Sequence, residues 1–292
     1  MLFTPESIYV ESGAEDYALT QEVLHRFAGR PVIYGAHPEQ IMKAINSDYL
    51  DAFGEAKRRL LLSRFKGTFF KKCPGISPGM VCCNYLIVNL MSNCVYDCSY
   101  CFLQDFLKNN ALLQAFVNIE DALEELETTF TENPRSFYRV GTGEIADSLA
   151  LNDILPYTDF LIPFFNQQKN AVLELKTKSA CVKKLLDHDP RNVIVSWSIN
   201  PQFIIDREEK LTASLGERLE AAKFCQTKGF KIGIHFDPII IFPGWEKAYE
   251  KTVNELFNTL GLKSIEWISL GGFRYWSNLK RVIQERHPET IL

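Results

Sequence analysis

Residues 85–101 read YLIVNLMSNCVYDCSYC, and this stretch indicates the fold and the site of the chain more strongly than any other. Its first part, residues 85–90, is a short apolar run with β-branched residues, which predicts a buried strand. Cys94, Cys98 and Cys101 follow with the spacing C-x3-C-x2-C. The stretch therefore predicts a strand whose carboxyl end opens into a loop rich in thiols.

Five further strand-like runs follow, and helical patterns lie between them. Ser214 and Glu217 form a capping-box pattern that begins one helix, and Gly229 ends it. This alternation predicts an α/β fold with a parallel sheet. Six strands favour a partial (β/α)6 barrel over a closed eight-stranded barrel, and a doubly wound open sheet is the main competitor. The six runs are residues 85–90, 137–140, 171–175, 193–199, 230–236 and 264–270.

The chain divides into three predicted parts. Strand-like segments at residues 8–11 and 31–34, with a helix near residues 21–27 between them, indicate a small N-terminal α/β unit. Turns rich in Pro and Gly at residues 73–79 mark its end. The predicted parts are an N-terminal α/β domain at residues 1–75, the partial barrel at residues 76–272 and a C-terminal helical tail at residues 273–292.

Composition indicates a globular chain and excludes several classes of protein. Of 292 residues, 46% are hydrophobic and 23% are charged, which excludes collagen-like and disordered chains. No apolar run approaches the roughly 18 residues of a membrane span, and the N-terminus has no secretory signal pattern. We therefore expect a cytoplasmic protein without a membrane contact. The net charge of −4 means that any contact with nucleic acid has to use a local basic patch.

The three loop cysteines have the donor chemistry of an iron–sulfur site. Thiolates are soft anionic ligands, and three of them would hold three corners of a 4Fe–4S cluster while the fourth iron stays open to a small molecule. Structural zinc wants four ligands, usually in two pairs. No second pair has a suitable spacing, although Cys82, Cys83 or His235 would supply a fourth ligand. Ordinary core cysteines are not expected in a loop that also holds Asp97 and Ser99.

Polar or Gly-rich segments follow the predicted strands one after another. In a parallel α/β barrel the active site lies at the carboxyl ends of the strands. We therefore expect these segments to meet the cysteine loop in one site. They are Gly141-Thr142-Gly143-Glu144, Lys176-Thr177-Lys178-Ser179, Ser198-Ile199-Asn200, Asp237 and Gly271-Gly272.

A three-cysteine loop after the first strand, followed by the aromatic Phe102, resembles the radical S-adenosylmethionine superfamily. The resemblance implies that the open iron binds the amino and carboxylate groups of S-adenosylmethionine. One electron from the cluster would then cleave the sulfonium and yield a 5′-deoxyadenosyl radical. The segment from Gly141 to Gly143 and Glu144 is similar to the superfamily segment that meets the methionine amino group, because glycines allow close backbone approach and a carboxylate complements an ammonium.

A narrower resemblance, to the spore photoproduct lyase family, covers nearly the whole chain. By this likeness Lys178 would bind the carboxylate of S-adenosylmethionine, and Ser198 would lie beside the same ligand. Asp237, at a strand end, is a further candidate to bond ribose or substrate. The segments that carry the likeness, besides the cysteine loop, are KCPG at 72–75, CCNY at 82–85, SLGERLEAA at 214–222, GIHFDPII at 233–240, GWE at 244–246 and LGGFR at 270–274.

The resemblance implies an activity, a substrate and a partner. The family repairs a UV-induced thymine dimer in DNA by radical scission, which requires that the lesion leave the base stack. It also implies an electron donor such as flavodoxin or ferredoxin. The sequence does not indicate an oligomeric state.

Two departures from the family's pattern concern the return of a hydrogen atom. The family's lyases carry a hydrogen-donating cysteine just after the second strand, where this chain has Glu144 and Ala146. They also carry a tyrosine directly after the third cluster cysteine, where this chain has Phe102, so that Tyr100 is the nearest hydroxyl. Tyr100 and Glu144 are the catalytic candidates. The hydrogen-return path is absent or rerouted, or the substrate differs.

Four cysteines remain as replacement donors in this interpretation. They are Cys73, Cys82, Cys83 and Cys181.

Basic residues interleaved with phenylalanines suggest contacts to nucleic acid. Basic side chains neutralise phosphates and aromatic rings stack on bases. The competing interpretation is an amphipathic segment that packs its apolar side and exposes its charges. The candidate residues are Lys57, Arg58, Arg59, Lys71, Lys72 and Arg274.

Three functions stay open from the residues alone. The first is a radical S-adenosylmethionine lyase that repairs DNA. The second is a radical enzyme of the same build that acts on an RNA base, a peptide or a metabolite. The third is a non-catalytic iron–sulfur or metal-binding protein.

Overall fold

The structure is a computed structural model that describes residues 3–73 and 85–292. Its strands are β1 (Ser7–Val10), β2 (Val32–Tyr34), β3 (Arg59–Ser63), β4 (Phe70–Lys72), β5 (Leu86–Val88), β6 (Met91–Ser92), β7 (Asp97–Cys98), β8 (Leu113–Phe116), β9 (Tyr138–Gly141), β10 (Ala171–Thr177), β11 (Val193–Ser198), β12 (Glu209–Lys210), β13 (Lys231–Ile239) and β14 (Ile265–Gly272). Its α-helices are α1 (Ala18–Arg26), α2 (Pro38–Asp48), α3 (Ala52–Ala56), α4 (Leu103–Phe106), α5 (Ile119–Glu132), α6 (Tyr157–Gln167), α7 (Gln202–Glu208), α8 (Leu215–Thr227), α9 (Trp245–Thr259) and α10 (Ser277–Arg286).

The larger sheet has the order β14-β13-β11-β10-β9-β5-β4 among the described strands. Every neighbouring pair in it is parallel except β4 with β5. Its six parallel strands overlap the six runs predicted from the sequence, so the predicted α/β fold with a parallel sheet is confirmed. In this order β14 and β4 are the edges, and within the described residues the sheet is open rather than a closed ring.

The two faces of the larger sheet differ in polarity because side chains alternate along a strand. Leu173 and Leu175 of β10 lie in the core with Trp197 of β11, all almost fully buried. Helices α6 and α8 pack against these strands, and each buried leucine contributes about 1.5–3 kcal/mol. Glu174 and Lys176 alternate with the two leucines and face the other side. That second face is polar, and it leads to the site.

A smaller sheet has the order β2-β1-β3-β8-β6 among the described strands. Sequence patterns indicated β1 and β2, but β3 and β8 were not predicted. Leu60–Leu62 of β3 are fully buried, although they lie in the stretch that the sequence presented as basic. Because β6 and β8 follow residue 75 in the chain, this sheet takes strands from both sides of the predicted domain boundary. The boundaries at residues 75 and 272 stay a prediction.

Helix ends follow the local signals in the sequence. Ser214 accepts a hydrogen bond from the backbone of Glu217, and the Glu217 carboxylate accepts from the backbone of Ser214, so the predicted capping box is present. Gly229 follows α8 with φ +95°, a conformation that glycine adopts without strain. None of the helices in the described ranges has the length and apolarity that crossing a bilayer requires.

Candidate active site

One cavity of about 290 Å³ lies at the carboxyl ends of the parallel strands. The cysteine loop forms one wall, and residues at or after the ends of β9, β10, β11, β13 and β14 form the others. Polar strand ends and the cysteine loop therefore meet in one place. The sequence-predicted residues that line the cavity are Cys94, Cys98, Tyr100, Cys101, Gly143, Glu144, Lys178, Ser198, Asp237 and Arg274.

Asn93 sets the start of the cysteine loop. Its φ of 70° lies in the left-handed region, which asparagine tolerates better than most residues. Its buried side chain donates to the carbonyl of Ala111 (2.7 Å) and accepts from the backbone N–H of Cys94 (2.8 Å). The turn that leads into the first cysteine is therefore held by the asparagine amide on both sides.

The three thiols share one wall of the cavity, where Cys98 is buried and Cys94 and Cys101 are half-buried. Burial raises the pKa of Cys94 to about 12 and raises the pKa of Cys98 well above its ordinary value. A thiolate in this place needs positive charge beside it, which a bound metal supplies. In residues 3–73 and 85–292 no three His, Cys, Asp or Glu side chains converge on a place for a single ion. A 4Fe–4S cluster needs no such convergence, since each thiolate binds a different iron, and the donor set fits that group.

Two cations from distant parts of the sequence, Lys57 and Arg286, hold the first half of the cysteine loop. The Lys57 ammonium donates to the carbonyl of Tyr96 and lies 3.4 Å from the Asp97 carboxylate. Arg286 of α10 lies 3.1 Å from the same carboxylate and 2.8 Å from Asp51. Although burial raises the pKa of Asp97, Lys57 and Arg286 outweigh that effect and lower it overall. The loop therefore rests on two cations from distant parts of the sequence.

The second half of the loop is held by two buried carboxylates. β7 pairs with β12 in antiparallel register, so that Cys98 lies opposite Glu209. Ser99 donates its hydroxyl to Glu208, and Tyr100 donates its hydroxyl to Glu209. Glu209 in turn pairs with Arg218 of α8, and both side chains are completely buried. Tertiary contacts on every side thus define the position of the three cysteines.

We expect Arg286→Gln to lower the free energy of unfolding by about 1–3 kcal/mol, because it removes charge-assisted hydrogen bonds from a side chain that is 11% exposed. Since the pKa of Asp97 is lowered, its stabilisation is complete at neutral pH and is lost only in acid. Denaturant unfolding of the two proteins measures the change. Arg281→Gln, which breaks an exposed pair with Glu285 on the same helix, is the control and should change stability by less than about 0.5 kcal/mol. Equal losses in both variants would contradict the role given to Arg286.

Lys178 faces the loop from the end of β10. Its ammonium lies 5.6 Å from the centroid of the Tyr100 ring. Burial opposes its charge, but the negative groups around it, Glu209 first and then Cys98 and Asp147, together outweigh burial, and the pKa of Lys178 is raised. Lys178 is therefore a half-buried cation on the cavity wall next to the cysteines, and Ser198 of β11 lies on the same wall.

Three further charged residues, Glu144, Lys176 and Asp237, also line the cavity. Burial raises the pKa of Glu144 and lowers the pKa of Lys176, and each charge partly compensates the other. Asp237 interacts with both, and it packs against Gly271, where a Cβ atom would lie only 2.5 Å from the carboxylate. The cavity therefore offers acidic and basic groups side by side, which suits a zwitterionic ligand.

Sequence reasoning missed Asp147, and it placed Lys176 in a strand-end segment without giving it a role of its own. Asp147 accepts hydrogen bonds from the Thr177 hydroxyl (2.6 Å) and the Lys178 backbone (2.7 Å), so it ties the loop after β9 to the end of β10. For Lys176 a signal existed, because Glu174, Lys176 and Lys178 alternate with buried residues in one strand. Asp147 has no comparable signal, since its partners lie 30 residues away.

Gly141 does not line the cavity, in contrast to the prediction that it binds a cofactor. A Cβ atom at this position would lie 1.6 Å from the Tyr85 hydroxyl, so only glycine leaves room for that ring. Gly143 does line the cavity, and a Cβ atom there would lie 2.8 Å from the backbone oxygen of Lys176. The two glycines therefore serve different contacts.

Tyr100 lines the cavity with its ring, but its hydroxyl points to Glu209. A hydroxyl that donates to a buried carboxylate has its hydrogen directed away from the cavity. The structure thus argues against Tyr100 as a hydrogen relay, because its polar atom is already used to hold the cysteine loop.

A buried polar layer lies beside the cavity on the same face of the sheet. The Glu174 carboxylate accepts from Ser196 (2.8 Å), pairs with Arg139 (2.6 Å) and contacts His235 Nε2 (2.9 Å). Burial lowers the pKa of His235. His235 is therefore a satisfied interior histidine and not a fourth ligand to the cysteine site.

The predicted nucleic-acid residues are not brought together. Lys57 is only 9% exposed and is bound to the cysteine loop, so a phosphate cannot reach it, and that prediction is wrong. Arg58 pairs with Glu6 and Glu55, and Arg59 also pairs with Glu55. The remaining members of the predicted set are exposed, Lys71 and Lys72 on β4 and Arg274 at the cavity.

A parallel α/β sheet whose first strand opens into a three-thiol loop, beside a cavity with paired charges, defines a radical S-adenosylmethionine protein. The sequence model of the family described as "Spore photoproduct lyase" matches residues 3–292. The chain belongs to the spore photoproduct lyase family, and the resemblance seen in the sequence is confirmed. This family consists of radical S-adenosylmethionine lyases with a 4Fe–4S cluster, so the predicted enzyme class and cofactors are confirmed at the level of the family.

Individual relatives agree with this assignment. Spore photoproduct lyase of Bacillus subtilis (strain 168) is 25% identical over 99% of this chain and 84% of its own length. The enzyme of Geobacillus sp. (strain Y412MC61) has the same identity and coverage. A solved structure of a spore photoproduct lyase double mutant with bound AdoMet and dinucleoside spore photoproduct superposes with a TM-score of 0.88. It is 24% identical and is matched over 100% of this chain and 85% of its own, and it shows the same fold.

Proposed function

We propose that this chain is a radical S-adenosylmethionine lyase that repairs a UV-induced thymine dimer in DNA. The observation that carries the proposal is a cavity in which three thiols meet a cation, Lys178, and a carboxylate, Glu144, from successive strand ends. Cys94, Cys98 and Cys101 would hold the cluster. When bound, the cluster and S-adenosylmethionine supply reductive cleavage of the sulfonium and abstraction of a hydrogen atom from the substrate.

Different charged groups of the cavity would bind different parts of S-adenosylmethionine. Lys178 carries a positive charge beside the cysteines, which suits the ligand's carboxylate, and Ser198 lies on the same wall. Glu144 suits the ligand's ammonium, and Gly143 lets the backbone approach it. Asp237 lines the same cavity and would bond the ribose. These roles follow from charge and position within one cavity.

The substrate side of the cavity carries aromatic and basic groups. Phe102 and Phe273 line the cavity and offer faces on which an extruded base would stack. Arg274 lies beside them, and Lys71 and Lys72 are exposed cations, so we propose these three as phosphate contacts. Since the chain has a net charge of −4, binding to DNA depends on such a local group. A relative has been solved with dinucleoside spore photoproduct, which supports a two-nucleotide lesion as the substrate.

Cellular context follows from the chemistry of the thiols. No disulfide joins two of the described cysteines, as expected in a reducing compartment, and we propose a cytoplasmic enzyme. The cluster needs a one-electron donor, for which flavodoxin or ferredoxin is the proposed class.

Repair of irradiated DNA by the reduced, iron-loaded protein is the experiment that tests this function. We expect restored thymine together with 5′-deoxyadenosine when the protein, reconstituted with iron and sulfide without oxygen, is given dithionite, S-adenosylmethionine and UV-irradiated DNA. Chromatography with mass spectrometry measures both products, and unirradiated DNA is the control. Release of 5′-deoxyadenosine without restored thymine would favour the second function, a radical enzyme of this build with another substrate.

A further inference from the structure

The path that returns a hydrogen atom to the repaired base is missing from its expected place. No cysteine lies between Cys101 and Cys181 in the sequence, and Ala146 lines the cavity after β9. Phe102 has no hydroxyl, and the hydroxyl of Tyr100 is bound to Glu209. The cavity wall formed by the cysteine loop and the β9 segment therefore presents no free S–H or O–H group at the two positions where the family carries its hydrogen-transfer residues.

Cys73 lies beside the cavity, at the end of β4. It directly follows β4, and its backbone N–H donates to the carbonyl of Tyr85 on the antiparallel neighbour (3.1 Å). Its thiol is hydrogen-bonded to the carboxylate of Glu144, and Glu144 lines the cavity. Cys73 is therefore one hydrogen bond away from the cavity, at the segment after β9 where the sequence lacks a cysteine. Its S–H is directed to an acceptor that lines the cavity, whereas the Tyr100 hydroxyl is directed to Glu209, which does not.

Tyr85 provides a second, independent observation at the same place. Its hydroxyl is buried and has no hydrogen-bond partner among the residues that the structure describes. It lies near Cys73, Glu144 and Glu174, and Gly141 is the residue that makes room for it. An uncompensated buried hydroxyl costs free energy, so a hydroxyl without a described partner beside Cys73 and Glu144 is a second candidate hydrogen donor at this place.

The other described cysteines are less suited to this role. Cys225 is completely buried within α8 and belongs to the hydrophobic core. Cys181 is hydrogen-bonded to Asp153, which does not line the cavity. Cys82 and Cys83 lie outside the described residues. Of the described cysteines beyond the cluster loop, Cys73 is the one bonded to a cavity-lining side chain.

We propose that the Cys73 thiol donates the hydrogen atom that completes the repaired thymine, an inference that rests on the proposed function. The S–H bond of Cys73 breaks, a C–H bond forms on the thymine radical, and a thiyl radical remains on Cys73. One electron from the flavodoxin- or ferredoxin-type donor and one proton restore the thiol. Because this cycle does not take the hydrogen atom back from 5′-deoxyadenosine, about one 5′-deoxyadenosine is released for each thymine dimer repaired.

Repair in D2O tests the proposal, since a thiol exchanges its hydrogen with solvent and a carbon-bound donor does not. We expect one deuterium in the restored thymine product from the unmodified chain. In Cys73→Ala and Cys73→Ser the number of thymine dimers repaired per 5′-deoxyadenosine released should fall about tenfold or more. Serine keeps the size and the hydrogen bond to Glu144, so loss in both variants points to the S–H bond and not to folding. Cys181→Ala is the control and should keep the deuterium.

Each other outcome contradicts the proposal at a different level. Repair without deuterium would exclude an exchangeable donor while leaving the proposed function intact. Deuterium that survives Cys73→Ala but is lost in Cys82→Ala, Cys83→Ala or Tyr85→Phe would move the role to that residue. Absence of any thymine repair by the unmodified chain would instead refute the proposed function itself.

Discussion

Replacing Cys98 with alanine will abolish the release of 5′-deoxyadenosine from S-adenosylmethionine. Cys98 is one of three thiols on the cavity wall, and two thiolates cannot hold a cluster against loss of iron. The expected change is complete loss of activity together with a fall in bound iron. Iron analysis and electron paramagnetic resonance of the reduced protein measure the cluster independently of activity.

Cys225→Ala is the matched control for this variant. Cys225 is buried in α8 and behaves as a small apolar side chain, so its loss should cost about 1 kcal/mol of stability and no iron. A Cys98→Ala protein that keeps its iron and its activity would refute the assignment of the cluster to this loop. A preparation that contains zinc in place of iron would refute it as well.

Arg218→Met will have the largest effect on stability, a loss of about 3–5 kcal/mol in the free energy of unfolding. Arg218 and Glu209 are both 0% exposed, so the substitution leaves a buried carboxylate without its main partner. It also removes donors to the backbone oxygens of Ser198 and Ala213 (2.8 Å each). Since Glu209 accepts from Tyr100 and Asn200 too, we expect the cysteine loop to lose order along with the pair.

The pH dependence of this loss follows from the charge on Glu209. Burial raises its pKa, but Arg218 and Lys178 outweigh burial and lower the pKa overall. In the unmodified chain the stabilisation is therefore complete at neutral pH and is lost in acid. Without Arg218 the charged form of Glu209 is buried without its main partner, and protonation of Glu209 in acid removes that unpaired charge. The difference in the free energy of unfolding between the two proteins therefore becomes smaller as the pH falls.

Denaturant unfolding at neutral and mildly acidic pH measures both effects. Lys223→Met, on the exposed side of the same helix, is the control and should change stability by less than about 0.5 kcal/mol. The double variant Arg218→Met/Glu209→Gln should recover part of the loss, because no charge is left unpaired. A loss that is independent of pH and is not recovered would indicate a packing defect and not an unpaired charge.

Much of the architecture could be predicted from local patterns in the sequence. The strands of the larger sheet are apolar runs whose period and bounding turns can be read in a short window, and the capping box at Ser214 is a contact between residues three positions apart. By contrast, β3 has three buried leucines next to two arginines, so its basic neighbours concealed it. β8 belongs to the smaller sheet although the next strand in the chain, β9, belongs to the larger one, which no local pattern expresses.

By itself the sequence determined the class of the protein: six strands, three thiols in one loop, and polar residues at successive strand ends. The tertiary structure alone decided what individual side chains do. It turned Lys57 from a candidate phosphate contact into a support of the cysteine loop, directed the Tyr100 hydroxyl away from the cavity, and placed Cys73 against Glu144. The reason is physical, because periodicity and capping act over a few residues, whereas burial and charge pairing join groups 39 to 109 residues apart.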